Sequence, residues 1–327
     1  MTTNERERAD DTARQLMVAM RSSLDPNCWD IRQRLLYTDN EPAFWAEVCK
    51  TAMCFVQDPA QQILLSLEVI NGLRRVDFTD DDLFDRLDAI RASIASLGIG
   101  HPDARKLLSM LLYHSAAVCH ATGKFAGAAL YHLEAAVLAD NSRDQCLAAF
   151  NQRLEEMYNY ARPGQSQEAI EGVLAAAKDL LPHLGEEPQD AQWRASVYGY
   201  QSFCEFLLLS SLSLNLCDTN TMDERKAYLQ NFFQHGNPAF RPIWSVVEAI
   251  QWYTSGREGA IACAANEQIE ENVEWYGFAQ LVLLATHLRR REESHVAEIQ
   301  KRIAAWADCH RHYTHFVQRW ASLLDNK

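Results

Sequence analysis

Apolar residues recur along this chain every three to four positions. Leu83, Leu87, Ile90 and Ile94 follow one another at steps of four, three and four. That spacing lays side chains along one face of an α-helix. The same period runs through most of the sequence, in segments rich in Ala, Leu, Gln and Glu, which all favour helix. Between the segments stand helix breakers: Pro26, Pro42, Pro59, the Gly98–Pro102 loop, Gly123, Pro163-Gly164, 182–188, 236–242 and Gly256. They leave stretches of roughly 15 to 25 residues, each long enough for one helix. No run alternates β-branched and polar residues between hairpin turns, so strand signals are nearly lacking. The pattern predicts an all-α protein of about 13 to 15 helices. Short loops force successive helices antiparallel, and a string of such hairpins stacks into a bundle or a solenoid.

The segment 111–141, LLYHSAAVCHATGKFAGAALYHLEAAVLADN, decides between the two. It predicts a first helix ending at Gly123 and a second opening at Phe125. Ala129, Leu133 and Ala136 follow at steps of four and three, with Val137 beside them. In this reading the small side chains let two helices approach and the large ones fill the groove between. Forty residues later Ala169, Val173 and Ala176 repeat the arrangement within 160–182, and 252–271 gives a weaker echo at Ala260 and Ala264. On these residues the middle of the chain resembles the tetratricopeptide-repeat family, well over 105–182 and loosely over 240–305. The resemblance implies stacked antiparallel hairpins in a TPR-like α-solenoid. It divides the chain into an N-terminal helical region (1–102), central hairpins (103–235) and C-terminal hairpins (236–327).

Composition narrows the function. Of 327 residues, 48% are hydrophobic and 23% charged, the balance of a folded globular chain. The net charge of −13 disfavours nucleic acid as the main partner, because phosphate binding needs a cationic surface. The basic runs Arg74-Arg75 and 289–291 adjoin acids and read as solvated helix ends. The charged N-terminus lacks a signal-peptide core, and the most apolar run, 203–217, is too short to cross a bilayer. Nine cysteines, none spaced C-x-x-C, fit a reducing cytoplasm rather than a disulfide framework or a structural zinc site.

Two stretches invite a chemical reading. Asp81, Asp82 and Asp85 form a DDxxD cluster, which resembles the magnesium-binding motif of all-helical terpenoid synthases. A helix start needs nothing more. Thr79 is a good N-cap, and acids in a first turn meet free N–H groups and the positive end of the helix dipole. The terpenoid-synthase motif also requires a second metal-binding run, and neither 215–224 nor 266–271 has its spacing. The helix cap is therefore the preferred reading, with magnesium at Asp81, Asp82 and Asp85 the alternative. In the C-terminal part, Glu292 and His295 make an E-x-x-H pair, and Asp308, Cys309, His312 and His315 share helical faces further on. If 292–316 is one helix, the two sets lie about 24 Å apart and do not share an ion. These histidines read as a polar helix face.

No phosphate loop or nucleophile elbow occurs, so the expected function is non-catalytic: a cytoplasmic helical-repeat protein binding another protein or peptide, with no cofactor. Its groove is expected on the first helices of the hairpins, 105–122 and 143–161. The candidate contacts are His114, Asn151, Asn159, Tyr160, Trp193 and Tyr200. Aromatic residues at such positions more often fill gaps between helical layers, although some could face a partner. The competing expectation is an all-α magnesium-dependent enzyme of terpenoid-synthase type.

Overall fold

A computed structural model of the chain describes residues 3–160, save 24, 40, 77–81 and 99, together with 276–309 and scattered positions elsewhere. Every regular element among the described residues is helical. The α-helices are α1 (Thr3–Ser22), α2 (Asp30–Gln33), α3 (Pro42–Met53), α4 (Pro59–Val76), α5 (Asp82–Leu97), α6 (Ala104–Ala121), α7 (Phe125–Leu138), α8 (Ser142–Tyr160), α9 (Tyr276–Arg290) and α10 (Glu293–Cys309). A 3₁₀ turn at Pro26–Cys28 and a π turn at Arg34–Thr38 flank α2.

The breakers act as their chemistry requires. Pro42 and Pro59 open α3 and α4, where the missing N–H would have had no helical partner. Asp58 caps α4, its carboxylate accepting from the N–H of Ala60 at 2.8 Å and of Gln61 at 3.1 Å. Gly98 and Gly123 follow α5 and α6 with φ of 85° and 73°, a conformation that side chains resist. At the end of α6 the N–H of Lys124 donates to the Cys119 carbonyl (2.8 Å) and that of Gly123 to His120 (3.0 Å). These are the two bonds of a Schellman turn, and Phe125 starts α7 directly after it.

The chain divides into two compact units, residues 1–152 with 188–194, and 153–187 with 195–327, the division falling within α8. In the first unit α4 is the central helix, packing on α3, α5 and α6, while α1 lies on α3. Its Ile63, Leu64, Leu65, Leu67 and Ile70 are all buried, because neighbours cover it on several sides. Each such side chain contributes about 1.5–3 kcal/mol. Gly72 lets α3 and α4 close up: an added Cβ would stand 2.6 Å from the Pro42 carbonyl and 2.9 Å from the Ala46 Cβ. Trp29 and Trp45 fill the same core. In α5 the stripe Leu83, Leu87, Ile90 and Ile94 is buried, as its spacing predicts.

The second hairpin of this unit departs from expectation. Phe125, Ala128 and Ala129 are the residues that α7 buries, and Ala128 clusters with Ala116 and Cys119 of α6. Leu133 and Val137, expected in the groove between the two helices, are instead 44% and 76% exposed. At 100° per residue they lie about 40° and 80° further round α7 than Ala129, past the edge of the buried face.

In the second unit α9 and α10 form one hairpin. α9 is buried on every side from Ala279 to Thr286, and α10 turns Ile299, Ile303, Trp306 and Ala307 inward. The helices close where Gly277 meets the Trp306 ring, which occupies the space a Cβ would need.

Candidate functional site

The α9–α10 turn gathers ionisable side chains. The N–H of Arg291 donates to the Leu288 carbonyl and that of Glu292 to His287, both at 3.1 Å, another Schellman pair. Here the left-handed position holds no glycine. Arg291, at φ 59°, is the one non-glycine residue with positive φ among the described residues. The Glu292 carbonyl then accepts from the N–H of His295 (3.0 Å) and Val296 (3.1 Å), which starts α10. One tight turn thus brings His287 from the last turn of α9 beside Glu292 and His295.

Their side chains meet. His287 Nδ1 lies 2.6 Å from Glu292 Oε2, and His295 Nδ1 lies 3.8 Å from the same oxygen. The two imidazoles stack, with centroids 4.8 Å apart and planes 7° from parallel. The side chains of His287, Glu292 and His295 are 12%, 38% and 58% exposed, so the set is anchored at one end and open at the other. The hydrogen bond with His287 holds the Glu292 carboxyl below the usual carboxylate range, helped by the nearby charges of His287, Arg290 and His295. In the sequence, Glu292 pairs with His295 as E-x-x-H and the other candidate donors lie downstream. The third donor is upstream, across a turn that no glycine or proline announces.

A second polar cluster threads the core of the first unit. Glu68 is 1% exposed, and its Oε2 accepts from Arg32 Nε (2.8 Å), Trp45 Nε1 (3.0 Å) and Asn71 Nδ2 (3.2 Å). Asn71 Oδ1 accepts in turn from Arg74 Nη2 at 3.1 Å, and the Arg74 guanidinium faces the Tyr113 ring. This network ties the segment before α3, α3 itself and α4 into one arrangement. Arg74 is therefore a buried structural residue and not the solvated helix end its sequence suggests.

His114 belongs to this interior. It is 3% exposed, so it presents nothing to a partner, and this corrects its expected place in a groove. Burial, followed by the charges of Arg74, Arg32 and Arg75, pushes its imidazole well below the usual histidine range. The whole of α6 from Leu111 to Ala121 is buried or half-buried, because α4, α5 and α7 all pack on it. Asn151 and Asn159 are half-buried on α8. Tyr160 ends α8, but its side chain, like Trp193 and Tyr200, lies outside the described residues. Asp82 and Asp85 occupy the first turn of α5 and are exposed, as a helix start expects; Thr79 and Asp81 lie outside the described residues. Asp308 and Cys309 are exposed at the end of α10, while His312 and His315 also fall outside. Among the described residues, none of the three sequence-predicted groups comes together whole. The structure joins Glu292 and His295 to His287.

No protein-family model, curated protein or solved structure matches the chain. Among the described residues, no helix is long and apolar enough to cross a membrane.

Proposed function

We propose that this is a non-catalytic, TPR-like helical-repeat protein of the cytosol that binds another polypeptide as an adaptor or regulatory subunit. The observation that carries the reading is the outer face of α7. Leu130, Leu133 and Val137 are 62%, 44% and 76% exposed, and the exposed Ala126 extends the row. Steps of four, three and four align them in one stripe about 16 Å long, the seam that an amphipathic helix presents to a partner. A helix so apolar is normally covered on all sides. Glu134 is the only charged residue in α7.

The occupant that fits is an amphipathic helix of another protein, its apolar residues at i, i+3 or i+4 and i+7 seated on the stripe. The chain's net charge of −13 favours basic residues flanking that seam. The contact surface therefore belongs to the second helix of a hairpin rather than to the first helices. The hairpin pairs α3–α4 and α6–α7, with α4 packed on α6 across α5, support the stacked arrangement. The free cysteines Cys28, Cys54 and Cys309 at the surface suit a reducing compartment.

A displayed library of amphipathic helices, selected on the full chain, tests the reading. The wild type should enrich basic sequences with that apolar spacing, and the triple variant L130Q/L133Q/V137Q should enrich none. Equal enrichment by both proteins overturns the assignment to α7. Self-association of the wild type that the triple variant abolishes would replace the foreign partner by a second copy.

A further inference from the structure

We propose that His287, Glu292 and His295 bind a divalent transition-metal ion, zinc being the best match, at the α9–α10 turn. The donor atoms lie within 4.8 Å of one another, and they come from three elements of one turn: the end of α9, the residue before α10, and the first turn of α10. Two imidazoles and one carboxylate suit zinc and its neighbours in the first transition row, and suit magnesium or calcium poorly.

Zinc–nitrogen and zinc–oxygen bonds of about 2.0–2.2 Å place tetrahedral donors roughly 3.3 Å apart. The His287–Glu292 separation of 2.6 Å falls short of that and the His295–Glu292 separation of 3.8 Å exceeds it. The described geometry is thus the hydrogen-bonded form, and binding needs shifts on the order of 1 Å. Parallel imidazoles also aim their in-plane lone pairs side by side, so one ring must turn for both to reach a single ion. His295 is the ring free to turn, being 58% exposed, while His287 stays anchored at 12%.

Arg291 supplies a second, independent observation. A left-handed non-glycine residue is costly and persists where its surroundings fix it, most often at functional sites. This one sits between the first two donors and sets the path that joins them. The charges of Arg290 near Glu292 and of Arg289 and Arg291 in the same run oppose a cation, so the carboxylate is the ligand that offsets them. Three protein donors leave one coordination position on the exposed side for water or an outside ligand.

The test uses the purified full chain stripped with a chelator, with zinc alone as the probe and a chromophoric chelator as competitor. The variants are H295A, whose exposed side chain makes loss of fold the least concern, and E292Q, with H310Q/H312Q/H315Q as control. We expect one site in the wild type, at least tenfold weaker in H295A and E292Q and unchanged in the control. Zinc should raise the melting temperature of the wild type and not of H295A, and cobalt should give d–d bands without a thiolate charge-transfer band. Equal affinity in wild type and H295A leaves only a hydrogen-bonded clasp and overturns the proposal. So does a loss that follows the control variant or a thiolate band, either of which places the ion elsewhere.

Discussion

The α6–α7 and α9–α10 hairpins close with the same pair of backbone hydrogen bonds, yet they differ at the residue that makes the turn. Gly123 takes the left-handed position in the first and Arg291 in the second. The first hairpin joins through small side chains, Ala116, Cys119 and Ala128, and leaves an apolar stripe outside. The second joins through a glycine under a tryptophan ring and gathers charge at its tip. One backbone motif therefore serves two surfaces, one suited to an apolar partner and the other to an ion. The side chains placed around the turn, and not the turn itself, set what each hairpin offers.

The largest effect that separates them lies at the close approaches. Gly277→Ala drives a Cβ into the buried Trp306 ring and should cost about 2–4 kcal/mol by chemical denaturation. Gly127→Ala meets only the Cys119 side chain, its Sγ at 3.2 Å, and gains helix propensity, so its stability should stay within about 1 kcal/mol of wild type. Equal costs at the two sites would mean the hairpins pack alike.

Acid should act on the first hairpin through His132. Its half-buried ring is pushed down to about 3, by burial first and His120 second. A histidine held neutral in the fold contributes stability that is present above its unfolded value of 6.5 and is lost as pH falls from there toward 3. The buried His114 acts in the same direction. His132→Gln should flatten the acid limb of the stability curve by about 1–3 kcal/mol, a range reduced for partial solvent screening. An unchanged limb would show that His132 titrates normally.

The turns themselves give the smaller effects, of opposite sign. Gly123→Ala forces a side chain into the left-handed region and should destabilise by about 1–2 kcal/mol. Arg291→Gly relieves the same strain and should stabilise the protein without metal by about 0.5–1 kcal/mol. A destabilised Arg291→Gly protein would mean that the arginine side chain contributes more than its backbone strain costs.

The contrast also explains what the sequence discloses. Gly123, Pro42 and Pro59 announce their helix boundaries because each is a residue type with a backbone constraint. The buried stripe of α5 is legible because a single face of one helix carries it. Arg291 announces nothing, since arginine is not a residue type that favours the left-handed position it takes. His287 escapes with it: its distance to Glu292 depends on a chain reversal that no residue type marks. His114 and Arg74 look like surface residues by type; Arg74 is interior through its bond to Asn71, and His114 because three helices pack on α6. Leu133 misleads in the other direction, because a step of four drifts 40° round a helix and carries an apolar residue off the buried face.

The proposed function requires that the outer face of α7 be free for a partner. The unfolding free energy of L130Q/L133Q/V137Q, measured on the full chain by chemical denaturation, tests it most directly. Exposed side chains contribute little to folding, so a change under about 1 kcal/mol is expected for all three together. A loss above about 4 kcal/mol would mean that the protein itself buries these residues and leaves no face on α7 for a partner.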